Sequence, residues 1–301
     1  MKDSLTKTEE RISYIMLVAP AFLLYLSVMA FPTVFSVVLS LTNYNGGAIF
    51  GNPNVRLVGL GAYKNILTDD YFFRALRNNL LIVGISVFGQ IPLGFFLAYI
   101  LSRSFIKGTD FFQSMIYLPN VISAVIIGIL FRRFFLTSNS LWLEIRRIFN
   151  PAAEYILRND SRAMLPVLAV ILWMYTGTYM IIFLANLQKI DISVIEASKI
   201  DGASEMQTLR YIILPALSGV IVTASILAIS GSLQSFDLIY SMTGGGPVHR
   251  TSVLALYMYE KAFRHGANYP VANAISTVMV IISFALIAIT RYTEKRLSSR
   301  E

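Results

Sequence analysis

The chain has 301 residues, of which 55% are hydrophobic and 14% charged, against about 25% charged in an ordinary soluble domain. That balance argues against a soluble globular protein, and the absence of cysteine excludes disulfides and thiol catalysis. The net charge of +8 is scattered through loops with no aromatic-interleaved basic patch, so it points to anionic lipid headgroups and not to nucleic acid.

No Asp, Glu, Lys or Arg occurs between Arg11 and Arg56, Arg77 and Arg103, Asp110 and Arg132, Arg162 and Lys189, Arg210 and Asp237, or Arg264 and Arg291, and each window is at least 21 residues long. A helix needs roughly 20 apolar residues to cross the hydrocarbon. The pattern predicts an all-α integral membrane protein with six spans, at 14–41, 78–101, 113–131, 165–185, 212–236 and 271–290. The runs are continuous, unlike the alternating segments of about ten residues that build a membrane barrel. Three segments follow: 1–13 before the membrane, a transmembrane domain over 14–290, and a tail over 291–301.

The start "MKDSLTKTEERISYIMLVAP" has mixed charge and no small-residue cleavage site, which predicts an uncleaved first helix. Pro20 and Pro32 fall in the first span, Pro92 in the second and Pro119 in the third. Membrane helices tolerate such breakers where neighbours satisfy the freed carbonyls. In the first loop, "NYNGG" and "GNPN" are turn signals, and "AYKNILTDDYFFRALRNN" reads as a short amphipathic helix. The Arg-rich loop 132–164 contains "LWLEIRRIF", whose Leu141, Ile145 and Ile148 share one face; this helix lies at the interface or against a partner and ends before Pro151. Gln90 and Gln234 sit in apolar runs, where facing lipid is costly, so they bond between helices or line a water-filled path. With both ends inside, the inner segments hold 12 Lys/Arg in 61 residues and the outer ones 13 in 103. That density favours both ends inside but leaves the orientation open.

The loop between the fourth and fifth spans, about 190–211, reads as helix, tight turn, helix. Ser193 with Glu196, and Ser204 with Gln207, fit capping boxes. Asp201-Gly202 makes the turn, since glycine takes positive φ without penalty. Ile195, Ile200, Met206 and Leu209 form its apolar side. Physics alone allows either a stable connector with a solvated charged face or a knob that presses on a partner.

This stretch, "EASKIDGASEMQTLRYIILPAL", resembles the cytoplasmic coupling-loop motif of ABC importer permeases. Glu196, Ala197, Asp201, Gly202, Ala203, Leu214 and Pro215 match; Ser198 stands where alanine is commonest, and Asp191 where many relatives have proline. "MIYLPNVISAVIIGILF", "WMYTGTYMIIFLANLQKI" and "FDLIYSMTGGGPVHRTSVLALYMYEKAF" resemble the carbohydrate-uptake branch, of the maltose/glycerol-phosphate type, and the likeness covers about residues 10 to 295. It implies the type I importer permease fold in the bacterial plasma membrane, with both termini and Glu196 cytoplasmic and "TGGGP" outside. The implied partners are a second homologous permease subunit, an ABC ATPase dimer that receives residues 194–201 in a groove, an extracellular sugar-binding protein and membrane lipid. ATP and magnesium would be bound by the ATPase, with no cofactor in this chain. The implied cargo is a sugar or oligosaccharide; a non-sugar solute such as glycerol phosphate or an amino acid is the alternative.

Sugars need aromatic faces for their C–H surfaces and polar groups for their hydroxyls. "WMYTGT" offers Trp173, Tyr175 and Thr178, and "GSLQS" offers Ser232, Gln234 and Ser235. By the resemblance, Trp173 and Thr178 match positions near bound sugar, and the serines and Gln234 match a polar cluster on a facing helix. No catalytic or metal site is read. The Gly-rich Lys-Ser/Thr nucleotide loop is missing, His249 and His265 read as outer-loop residues, and the spans carry no ionisable side chain of the kind a membrane enzyme or ion-coupled transporter uses.

Overall fold

The computed structural model describes residues 7–49, 51–102, 108–136, 140–149, 163–264 and 266–298; Pro151 and His265 lie outside them. Among these residues all regular structure is helical, apart from one isolated bridge between Thr42 and Leu57. In chain order the helices are α1 (Lys7–Tyr25), α2 (Phe31–Ser40), α3 (Gly61–Leu67), α4 (Asp70–Ile85), α5 (Ile91–Leu101), α6 (Thr109–Val121), α7 (Ala124–Phe131) and α8 (Leu141–Phe149). They continue with α9 (Met164–Leu187), α10 (Ile192–Ile200), α11 (Glu205–Thr208), α12 (Leu214–Ala216), α13 (Ser218–Leu233), α14 (Asp237–Met242), α15 (Leu254–Phe263) and α16 (Tyr269–Ser298).

Four stretches are long and apolar enough to cross a membrane: Arg11–Ser40, Asp70–Leu101, Met164–Leu187 and Tyr269–Thr293. Two more qualify only as bent pairs, Thr109–Val121 with Ala124–Phe135 at 88° and Glu205–Ala216 with Ser218–Leu233 at 65°. The third and fifth expected spans are therefore broken, and the crossings number up to six. Hydrophobic length reports how far a segment can reach but not its direction. Ile122 and Ser123 leave the helical region with ψ of 140° and 131°, and Leu217 does so at φ −95°, ψ 3°.

Three prolines have a shared local answer. Pro32, Pro92 and Pro215 each follow a five-residue π-helical turn, at Leu26–Ala30, Ser86–Gln90 and Leu209–Ile213. A proline in an α-helix donates no N–H and collides with the carbonyl four residues back. The widened turn takes that strain: the residue before each proline donates five residues back, Phe31 to Leu26, Ile91 to Ser86 and Leu214 to Leu209.

The described residues form two compact units, one of residues up to Thr68 with Glu260–Val278, the other of Asp69–Tyr259 with residues from Met279 on. In the first, α2 is held to α16 by Ser36, whose hydroxyl donates to Asn273 Oδ1 at 2.6 Å, and to α3 by Ser40 and Tyr63, whose hydroxyls lie 2.7 Å apart. The apolar surface of α1 is open, with Leu17 80% exposed, as suits a lipid-facing or partner-facing helix.

The second unit is built around α9. Its first half packs Met164, Val167, Val170, Ile171 and Met174 with Ile82, Ile127, Leu238 and Met242. Its second half packs Tyr179, Met180, Phe183 and Leu184 with Ile91, Ala98, Leu217 and Ala224. Small residues bring the backbones together, as expected in lipid. An added Cβ at Gly94 would lie 2.7 Å from Tyr179 Cβ and at Gly177 2.5 Å from the Ile116 carbonyl, and at Gly128 it would collide with Ser241 Oγ.

Two asparagines at the start of the second span pin the 250–254 segment. Asn78, fully buried, donates from Nδ2 to the Arg250 and Ser252 carbonyls, each at 2.8 Å. Asn79, also fully buried, donates to the Ser232 carbonyl at 3.0 Å and accepts the Leu254 N–H at 2.7 Å. Asn79→Leu leaves the Leu254 N–H buried without its partner, at roughly 1–3 kcal/mol, and takes one of its donors from the Ser232 carbonyl. Thermal unfolding of the purified protein should show a clear loss of stability in this variant, and an unchanged midpoint would count against the clamp.

Candidate functional site

Where one core of the second unit gives way to the other, a cavity of about 230 Å³ opens. Ile171, Tyr175 and Thr178 line it from one face of α9, and Ser86 and Gln90 from the π-helical turn between α4 and α5. Gly231 and Ser232 line it from α13, then Gln234, Ser235, Phe236 and Asp237 where that helix ends and α14 begins. Residues 234–236 are not helical. Irregular backbone at membrane depth is tolerated where it is buried in protein or lines a polar cavity. Gln90 donates from Nε2 to the Ile171 carbonyl at 2.7 Å, so the helix-bonding reading of this glutamine holds while it also lines the cavity. Ser232 Oγ donates to the Ala228 carbonyl at 2.6 Å and lies 3.1 Å from Ser86 Oγ.

Five of the six residues proposed from sequence for a substrate path thus meet in one place: Tyr175, Thr178, Ser232, Gln234 and Ser235. Trp173 does not line this cavity. Two residues from Tyr175 is about 200° around a helix, and the indole is 48% exposed with its ring edge-on to Phe131 at 5.5 Å. Sequence reasoning left Phe236 and Asp237 out of the path, although both directly follow the polar cluster. Phe236 stacks on Tyr240 at 5.2 Å and leans on Tyr259 at 5.3 Å, which gives the cavity wall an aromatic backing.

The second candidate site is the α10–α11 element. The cap of α10 is Asp191, not Ser193: the carboxylate accepts the Ser193 N–H at 2.9 Å. The helix starts two residues earlier than a Ser193 cap requires, and Glu196 has no capping role there. The hydrogen bonds from the Ser193 backbone and side chain hold Asp191 below the usual carboxylate range. At its other end α10 closes with a paired turn: Gly202 donates to the Lys199 carbonyl at 3.1 Å and Ala203 to the Ser198 carbonyl at 2.9 Å. Gly202 has φ +82°. The expected capping box of Ser204 and Gln207 is present at the start of α11. The two helices are tied by the buried hydroxyls of Ser198 and Thr208, 3.1 Å apart, a bond that the small size of Ser198 alone did not suggest. Glu196, Ala197, Asp201 and Gly202 are exposed and Ala203 is half-buried. The apolar side divides: Ile195 and Leu209 are half-buried, whereas Ile200 is 86% and Met206 69% exposed.

The family described as binding-protein-dependent transport system inner membrane component matches residues 90–299, a range that holds the cavity's α9, α13 and α14 and the whole α10–α11 element. The chain belongs to this family. The permease is 33% identical over 270 residues to the lactose transport system permease protein LacF of Rhizobium radiobacter, covering 88% of each chain. It is 32% identical over 255 residues to the multiple sugar-binding transport system permease protein MsmF of Streptococcus mutans, covering 84% of each. Its fold matches a chain in the crystal structure of a bacterial ABC transporter involved in the import of the acidic polysaccharide alginate, with a TM-score of 0.79, 22% identity and 96% of each chain covered. The permease is thus a multi-pass membrane subunit of an ABC importer, and its part is transport, not catalysis.

Proposed function

We propose that the permease carries a sugar or oligosaccharide across the membrane, and that the cavity beside the broken end of α13 is this chain's wall of the path. The observation behind this reading is the convergence of Tyr175, Thr178, Ser232, Gln234 and Ser235 on one cavity. Aromatic faces beside hydroxyl and amide groups suit a sugar's two kinds of surface. The sugars named for LacF and MsmF agree with it, and the maltose/glycerol-phosphate branch is the natural home for it. The cognate binding protein, screened against a panel of sugars, should capture at least one of them; capture of amino acids or metal complexes alone would overturn the sugar class.

The partners in this reading are an extracellular binding protein, a second homologous permease, an ABC ATPase dimer and lipid. The α10–α11 element is the coupling helix and its support, with Glu196, Ala197, Asp201, Gly202 and Ala203 toward a groove of the ATPase. Exposed Ile200 and Met206 supply apolar area for that contact. Closure of the ATPase dimer on ATP moves the element and switches the cavity between its two openings, so both sites bias one two-state change.

The orientation follows: both termini and Glu196 inside, Gly245 outside. The chain has no native cysteine, so single substitutions report cleanly. A cysteine at position 245 should react with an impermeant thiol reagent on intact cells and one at 196 only after permeabilisation; the reverse pattern would invert the topology.

A further inference from the structure

Among the described residues, Asp237 brings the one carboxylate to the cavity wall, and no lysine, arginine or histidine lines it. Its neighbours there are neutral: Tyr175, Thr178, Ser232, Gln234, Ser235 and Phe236. The side chain is exposed, next to the stretch where α13 has unwound. A carboxylate beside a cavity walled by low-dielectric protein repels anions and attracts cations more strongly than one in bulk water. Focusing of this kind by low-dielectric walls changes which solutes enter as well as how fast.

We infer that Asp237 is a charge filter of the path: it admits neutral and amino sugars and disfavours sugars bearing carboxylate or phosphate. The inference rests on the proposed role of the cavity as the sugar path and narrows its cargo by charge. Phe236 and Tyr175 supply the faces that neutral sugar rings pack on, while Asp237 accepts from sugar hydroxyls or ammonium groups, which an acidic sugar at the same place could not offset.

The test reads the charge at the cavity directly. In the complete complex in lipid, Thr178→Cys places a thiol on the wall in a chain with no other cysteine. Its reaction with a cationic thiosulfonate reagent (trimethylammonium-ethyl) is compared with that of the anionic sulfonatoethyl reagent, with Asp237 intact and with Asp237→Asn. The cation-to-anion rate ratio should fall roughly fivefold to tenfold on Asp237→Asn and persist in Asp237→Glu. Ser235→Cys gives the same reading where Thr178→Cys does not assemble. An unchanged ratio, or no reaction with either reagent at both positions, overturns the filter. The sugar reading is judged separately, by capture on the isolated binding protein: a filter without sugar capture leaves the charge preference standing and removes sugar as the cargo, whereas sugar capture with an unchanged ratio does the reverse.

Discussion

Gly177→Ala should lower the yield of folded permease in the membrane at least tenfold. The new methyl carbon would sit 2.5 Å from the Ile116 carbonyl oxygen and 2.9 Å from Tyr117 Cα. Both are backbone atoms of α6, so neither can turn aside and the helices must part. Overpacking of this kind costs about 1–3 kcal/mol and sometimes more, and tenfold corresponds to about 1.4 kcal/mol. Gly219→Ala is the control. It lies inside α13 with nothing within 4 Å of its added carbon, and alanine is the better helix former. Detergent-extracted, monodisperse protein and its thermal midpoint distinguish the two. Equal yields and midpoints for both variants would show that α6 and α9 do not approach as described.

Gly202→Ala and Glu196→Ala should weaken the stimulation of ATP hydrolysis by substrate in the assembled importer. The constraint at Gly202 is conformational, not steric: nothing lies within 4 Å of an added carbon, but φ is +82°. A left-handed backbone costs a non-glycine residue roughly 1–2 kcal/mol. That strain falls on the turn whose two hydrogen bonds fix the end of α10, and so on the angle at which the element would meet the ATPase in the proposed coupling. Glu196 is exposed and absent from the helix cap, so its loss should leave α10 folded while removing the polar contact proposed with the ATPase. Substrate-stimulated ATP hydrolysis by the reconstituted complex should fall severalfold in both variants, with sugar capture by the binding protein unchanged. Wild-type stimulation in both would remove this element from coupling.

What the sequence made legible follows from what each physical signal encodes. Charge-free windows measure hydrocarbon-length segments, so all six regions of helix were visible. The breaks at Ile122–Ser123 and at Leu217 were not, because they are changes of direction within apolar runs. Gly202 was readable because a positive-φ turn needs glycine beside a helix end. The cap was misplaced by two positions because Asp191 and Ser193 are both good cap residues and only the chain's path decides between them. Gly177 and Gly219 look alike in sequence; the one touches α6 and the other touches nothing, a tertiary fact. Five residues of the cavity wall were picked out because hydroxyl, amide and aromatic side chains are conspicuous in apolar runs. Trp173 was included for its aromatic type and by the resemblance, and its helical phase sends it to Phe131 and not to this cavity. Asn78 and Asn79 were read only as the end of an amphipathic helix and the start of the second span, since nothing local shows that they hold a segment more than 170 residues away.

The most direct test of the account is ATP-driven accumulation, by proteoliposomes holding the complete importer, of the sugar that the cognate binding protein captures. The wild-type permease should accumulate it only with both ATP and binding protein, and Tyr175→Ala combined with Gln234→Ala should cut accumulation at least roughly tenfold while capture by the binding protein is unchanged. Undiminished accumulation in that double variant, or accumulation that does not depend on ATP, would contradict the account.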